Sequence, residues 1–359
     1  MTSIFVHAIV GCGRVAPSHA DAFGRLSQVR LKYACAPNYD EACKFAAKYQ
    51  IEHGVTSLEQ ILDDPELTSI SLATPHYLHA PMIMEAVRSG KHVLVEKPIA
   101  INDSQVDDIA DIIVHTPSIV VMPVSQHRFD APVREAARLV FLGALGRLVL
   151  MRAHLECCRP VEYYTQSKWR GKWDKEGGSV LINQAYHILD LMLWFGGEVE
   201  TVMADMETMV FRNNIETEET LTGQLRFSNG MLGTLAVSGA AGSRWHSSIE
   251  IVGSNGVIGL NIGYPTSIYR LQLDNRALLL ETKKNLRECA QRLEAPPAGF
   301  DYYGTSHRAQ AQAFVDRILG KPIDPWAADL KHARQVIRTI GVMYQTAKHN
   351  RIVTVRHGT

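Results

Sequence analysis

Three groups of residues in this sequence have the types and spacing to do chemistry. The first is Gly11-Cys12-Gly13-Arg14-Val15-Ala16, a Gly-x-Gly-x-x-Ala turn placed directly after the apolar run Ile4 to Val10. The first glycine allows a tight turn, and the second lets a pyrophosphate approach the backbone. Ala16 in the third place still permits close packing of helix on strand. A helix opening there presents unpaired N–H groups and the positive end of its dipole to a phosphate. With a strand before it and a helix after it, the turn predicts dinucleotide binding through Gly11, Gly13, Arg14, Val15 and Ala16.

The second group, Glu96-Lys97-Pro98, follows the short strand His92 to Val95. It stands at the carboxyl end of that strand, the edge where open α/β sheets bind ligands. A lysine held there in a partly dry site has a depressed pKa and can shuttle a proton, while Glu96 beside it opposes that shift. The third group lies in the apolar stretch Ser179 to Phe195. Taken as one helix, it puts Asn183, His187 and Asp190 at i, i+4 and i+7, on one face among leucines and isoleucines. A polar stripe on a buried helix is costly unless its groups are paired or turned to a ligand. One reading is a self-satisfied core network. The functional one sets His187 against a reacting hydroxyl, Asn183 beside it as a hydrogen-bonding partner and Asp190 as orienter of the imidazole.

The elements that must position these groups fall into two patterns. From residue 1 to 124 short apolar strands alternate with helices, which predicts a Rossmann-type, doubly wound parallel sheet. From 125 to 359 the rhythm changes to longer strands joined by tight turns such as Ser228-Asn229-Gly230 and Gly253-Ser254-Asn255-Gly256. Strand character dominates Val199 to Leu280, helices are expected near Ser306 to Leu319 and Ala327 to Lys348, and a strand over Ile352 to Val355. The second domain is therefore α+β with a large, mostly antiparallel sheet. The overall class is α/β.

Composition narrows the function classes. The 37 basic and 37 acidic residues leave a formal net charge of zero, which argues against general nucleic-acid binding. No apolar run reaches the roughly 20 residues needed to span a bilayer, and the first residues lack a signal peptide's basic region. Six irregularly spaced cysteines read as reduced thiols of a cytoplasmic protein. His76 with His79, and His154 with Glu156 and Cys157, fall short of a zinc ligand set, so no metal is expected. Arg128, Arg159, Tyr163, Trp169 and Arg170 are candidate substrate contacts alongside Asn183 and His187, because arginines fork onto phosphate and aromatics stack on sugars or bases. The end of the second strand, Tyr33-Ala34-Cys35-Ala36-Pro37-Asn38, offers neither a carboxylate for an NAD ribose nor an arginine for a 2′-phosphate. The choice between NAD and NADP stays open.

With these motifs in place, the sequence resembles the glucose–fructose oxidoreductase / inositol dehydrogenase / rhizopine catabolism (Gfo/Idh/MocA) family. The resemblance rests on Gly11 to Ala16, Ala73-Thr74-Pro75-His76-Tyr77-Leu78-His79, Glu96-Lys97-Pro98, and Gly177-Gly178 through Asn183 and His187 to Asp190, in the family's order across nearly the whole chain. It implies that Lys97 is the acid/base beside the nicotinamide, joined to Pro98 by a bond that is often cis. It also implies that Ala73, Thr74 and Pro75 line the nicotinamide side, and that His79 and Glu96 belong to the cofactor-binding elements. Ser179, Asn183 and Ala185 depart from the family's commonest glycine, aspartate and glycine, which removes a carboxylate base. Asn183-x-x-x-His187 is similar to a variant among sugar-nucleotide dehydrogenases. The expectation is an NAD(P)-dependent oxidoreductase acting on a secondary alcohol of a sugar, sugar phosphate or sugar nucleotide, and a homo-oligomer, dimer or tetramer. The alternatives are a reductase of a non-sugar carbonyl and a non-catalytic NAD(P)-binding regulator.

Overall fold

The computed structural model describes residues 5–242, 245–291, 295–296, 298–300, 303–322, 324–349 and 353–354. The early strands are β1 (Phe5–Val10), β2 (Val29–Cys35), β3 (His53–Val55), β4 (Ser69–Leu72), β5 (His92–Val95) and β6 (Val121–Pro123). Between them run α1 (Ala16–Gly24), α2 (Tyr39–Tyr49), α3 (Leu58–Leu62), α4 (His79–Arg88) and α5 (Asp103–Val114). Then come α6 (Ala131–Phe141), β7 (Leu148–Glu156), α7 (Glu162–Thr165), a π-helical turn at Val180–Gln184 and α8 (Tyr186–Gly196). The chain continues through β8 (Val199–Glu207), β9 (Thr220–Phe227), β10 (Leu232–Ser238), β11 (His246–Gly253), β12 (Gly256–Asn261) and β13 (Ser267–Leu273). It ends with α9 (Arg276–Ala290), α10 (His307–Ile318), α11 (Leu330–His349) and β14 (Val353–Thr354). Among the described residues no helix is long and apolar enough to cross a membrane.

Two compact units emerge. The first comprises Met1–Ala100, Ser104–Phe129 and Glu294–Leu330. Its six strands are all parallel in the order β3-β2-β1-β4-β5-β6. That is the doubly wound order, whose direction of winding reverses between β1 and β4. Every residue of β1 is buried, as a strand covered on both faces requires. Residues 294–330 return to this unit: Ala311, Phe314 and Val315 of α10 join Phe5, Ile9 and Phe23 in one core cluster. A single cut after residue 124 does not describe that return.

The second unit comprises Ile101–Asp103, Asp130–Leu293 and Lys331–Thr359. Its eight strands run β13-β12-β11-β7-β10-β9-β8-β14, with β7–β10 the parallel pair among antiparallel neighbours. Burial alternates residue by residue along β9 and β10, so one face packs inward and the other faces out. Both turns noted in the sequence close hairpins, β9–β10 and β11–β12. Of the strand expected at Ile352 to Val355, Val353 and Thr354 pair with β8, and the two end residues lie outside the described residues.

Two expectations need correction. Arg276 to Leu280 opens helix α9 rather than continuing the strands, with Asn275 capping it by accepting from the Leu278 amide. The stretch Ser179 to Phe195 is not one helix. Val180–Gln184 forms a π turn that ends at Ala185, and α8 starts afresh at Tyr186. Gly177 and Gly178 precede it with φ of +84° and +139°. A β-carbon on Gly178 would strike the Tyr344 hydroxyl, so only glycine fits this close approach. Buried Glu218 accepts from the Ser179 and Leu181 amides at 2.9–3.1 Å, satisfying donors at the start of the turn that have no helical partner. Asn183 lies in the π turn, and His187 and Asp190 lie in α8.

Candidate active site

In the first unit the glycine turn sits at the reversal of winding. Gly11 has φ +92°, and a β-carbon on it would collide with the Ala73 carbonyl. The close approach is sealed by the Gly11 amide donating to the Cys35 carbonyl and the Ala73 amide donating to the Val10 carbonyl, both at 2.8 Å. Ends of β1, β2 and β4 are thereby brought together. Gly13 is exposed and a β-carbon there would meet nothing within 4 Å, leaving the open approach a pyrophosphate requires. Val15 precedes the first turn of α1, with Pro17 tolerated at its start, and Ala16 is fully buried against the sheet. Exposed Arg14 has its guanidinium 5.4 Å from the Phe300 ring centroid.

Two further segments share that edge. Ala73, Thr74 and Pro75 follow β4, and Glu96, Lys97 and Pro98 follow β5, with a cis bond between Lys97 and Pro98. His79 lies between them: its ring nitrogens are 2.6 Å from the Pro98 carbonyl oxygen and 2.9 Å from that of Thr74, and a neutral ring donates to one of the two. The ring is fully buried and its pKa is lowered chiefly by that burial. Lys97 is half-buried, while Glu96 is buried. Arg128 also belongs to this unit and is 1% exposed.

The second unit gathers the other candidates. Arg159 and Arg170 both stack on Tyr163, with guanidinium carbons 4.6 and 4.3 Å from the ring centroid. Arg170 also lies 4.6 Å from the Trp169 ring and Arg159 5.1 Å from the Trp245 ring. The Tyr163 hydroxyl accepts from Asn183 Nδ2 at 3.1 Å and Gln184 Nε2 at 3.2 Å. Asn183 donates to Glu176 Oε1 at 2.6 Å as well. Two cations, stacked rings and amides in one patch suit a ligand with a negative group and a flat or sugar ring. His187 is half-buried in the first turn of α8, and Asp190 is buried three residues on.

Several residues went unread in the sequence. Glu176 is fully buried, and burial pushes its pKa up to about 7 despite bonds from the Gly171 amide and Asn183. Burial likewise raises Glu218 to about 7, although it accepts from Ser179, Leu181 and the Tyr344 hydroxyl. His19 and His307 both reach Glu96. Only Glu176, beside the Gly177-Gly178 pair, had a local signal.

The oxidoreductase family described as an NAD-binding Rossmann fold matches residues 5–123, and the GFO/IDH/MocA C-terminal domain matches residues 133–259. Levoglucosan dehydrogenase of Pseudarthrobacter phenanthrenivorans is 24% identical over 283 residues, covering 70% of this chain and 72% of that protein. D-glucoside 3-dehydrogenase of Escherichia coli is 24% identical, covering 95% of each chain. The WlbA dehydrogenase of Chromobacterium violaceum, solved with NADH and UDP-GlcNAcA, superposes with a TM-score of 0.86 at 24% identity over 99% of this chain and 97% of that one.

Proposed function

The chain belongs to the GFO/IDH/MocA family of NAD-binding oxidoreductases, and on that premise we propose that it oxidises a secondary alcohol of a sugar or sugar nucleotide. The observation that carries this reading is the placement of Lys97. It follows β5 at the carboxyl edge of the sheet whose β1 leads into the glycine turn, one residue before the Pro98 carbonyl that His79 approaches at 2.6 Å. NAD, when bound, supplies the hydride acceptor. Gly11, Gly13 and the N-terminus of α1 would hold its pyrophosphate, and Ala73, Thr74 and Pro75 would lie on its nicotinamide side. As the substrate carbon gives up its hydride and becomes a carbonyl, Lys97 Nζ takes the hydroxyl proton and passes it to water. In the second unit His187, with Asp190 and Asn183, is assigned to hydrogen bonding with the substrate.

Within this class a substrate with an anionic group is favoured, and the support is the second unit's patch. Arg159 and Arg170, held by Tyr163, Trp169 and Trp245, supply charge and stacking surface together. Sugar nucleotides carry both features, and the WlbA structure holds UDP-GlcNAcA. The test is NADH formation against a panel of neutral sugars, sugar phosphates and sugar nucleotides including UDP-GlcNAcA, with NAD and NADP in separate arms. Turnover of anionic members with NAD, weakened by Arg170→Ala mainly through KM, is expected. Bound NADH with no turnover of any member would reject the reading.

A further inference from the structure

The first unit contains a buried polar chain for which the proposed chemistry gives no role. Glu96 Oε1 lies 3.0 Å from His19 Nε2 and 3.3 Å from His307 Nε2. Its other oxygen, Oε2, accepts from the backbone amide of Lys97 at 3.3 Å. Behind His19, Nδ1 lies 3.1 Å from Ser71 Oγ, which is 2.9 Å from His7 Nε2, and His7 Nδ1 is 2.6 Å from Ser69 Oγ. All of these side chains are buried.

His19 comes from α1, the helix that the glycine turn opens. His307 comes from α10, on the segment that returns late to the first unit. Glu96 stands at the end of β5. A carboxylate in a dry interior is tolerated only when hydrogen-bonded. Burial opposes its charge, yet the bonds from His19 and His307 hold Glu96 well below the ordinary carboxylate range. With both oxygens engaged, the carboxylate cannot turn, and it holds the main chain from which Lys97 springs.

We infer that the His19–Glu96–His307 triad is a positioning unit for Lys97: two imidazole N–H groups pin the Glu96 carboxylate, and the carboxylate pins the Lys97 amide. Helix α1, strand β5 and helix α10 are thereby locked to the stem of the lysine. The inference rests on Lys97 acting as the acid/base. The three ligating atoms lie within 4.8 Å of one another, a spacing a divalent cation could also exploit. The two uses require opposite states of the rings. Pinning needs a proton on both Nε2 atoms, whereas an ion needs a lone pair on each.

Ring 15N NMR of the full chain decides between them without any substrate. Pinning predicts Nε2–H for both His19 and His307, unchanged by added zinc chloride. An unprotonated Nε2 on either ring, or one tightly bound zinc per chain lost in His307→Leu, overturns the proposal. Reductive 13C-methylation then reads Lys97 itself, its signal assigned by its absence in Lys97→Arg. His307→Leu should shift that signal, and His307→Gln, which keeps an N–H donor, should return it toward wild type. A Lys97 signal indifferent to both substitutions contradicts the coupling. Should His307→Leu fail to fold, His19→Gln and the ring spectra of the unaltered chain still decide. With a panel substrate, His307→Leu should lower kcat about tenfold and change KM less than about threefold. A KM effect with kcat unchanged also overturns it. Lys97→Ala tests the underlying reading separately, since the ring protonation does not depend on that residue's role.

Discussion

At the residue scale, the two glycines of the turn do different work and can be separated. Gly11 adopts φ +92° against the Ala73 carbonyl, so its requirement belongs to the fold. Gly11→Ala should destabilise the chain by about 1–3 kcal/mol from backbone strain, with steric collision added. Gly13 is exposed with open space beside it, so the fold itself places no demand on that position. Gly13→Val should change stability by no more than about 0.5 kcal/mol. Its affinity for NADH should nonetheless fall at least about tenfold, equivalent to 1.4 kcal/mol. Urea unfolding paired with NADH fluorescence titration measures both, and wild-type affinity in Gly13→Val would remove the pyrophosphate from that face. These positions were legible in the sequence because their reason is local: a strand, a tight turn and a helix start within a dozen residues. Glu96 was legible only as Lys97's neighbour. Its partners His19 and His307 lie 77 and 211 positions away, beyond any local pattern.

At the element scale, the apolar run Ser179 to Phe195 shows how periodicity misleads. Hydrophobic spacing identified a buried helix, and α8 is one. It did not reveal the π turn before it, whose opening residues are held by partners distant in sequence, Glu218 on the Ser179 and Leu181 amides and Tyr344 against Gly178. The two buried carboxyls beneath the turn make a pH prediction. Glu176 and Glu218 are raised from an ordinary 4.5 to about 7, so the folded chain retains protons that the unfolded chain releases. A folded-state pKa raised above the unfolded one gives stability that is full at low pH and fades as pH rises. Stability should therefore decline between pH 4.5 and about 7 from these two groups. Glu218→Gln should flatten the decline, measured as urea midpoints across that range. A decline of the same size in the variant would contradict the assignment.

At the scale of the whole molecule, the parallel and antiparallel sheets were both readable, since strand length, turn chemistry and helix alternation each follow from local sequence. The return of residues 294–330 to the first unit was not, because nothing in an amphipathic helix says which sheet it will cover. Phe314 of α10 packs edge-on to Phe23, ring centroids 6.2 Å apart, and both are fully buried. Phe314→Ala should cost about 3–5 kcal/mol, as a large aromatic lost from a close-packed core does. NADH binding should fall with it, because the core that α10 completes also carries α1. A variant of unaltered unfolding midpoint would place α10 outside that core.

The central claim is that this chain is an NAD-linked dehydrogenase in which Lys97 takes the substrate's hydroxyl proton. It is tested most directly by single-turnover NADH formation in the wild type and Lys97→Ala, with NADH affinity measured on both. NADH should form from a sugar or sugar nucleotide in the wild type. The rate should be at least about 100-fold lower in Lys97→Ala, the scale of a lost general base, with cofactor affinity preserved. Equal rates in the two proteins would contradict the claim.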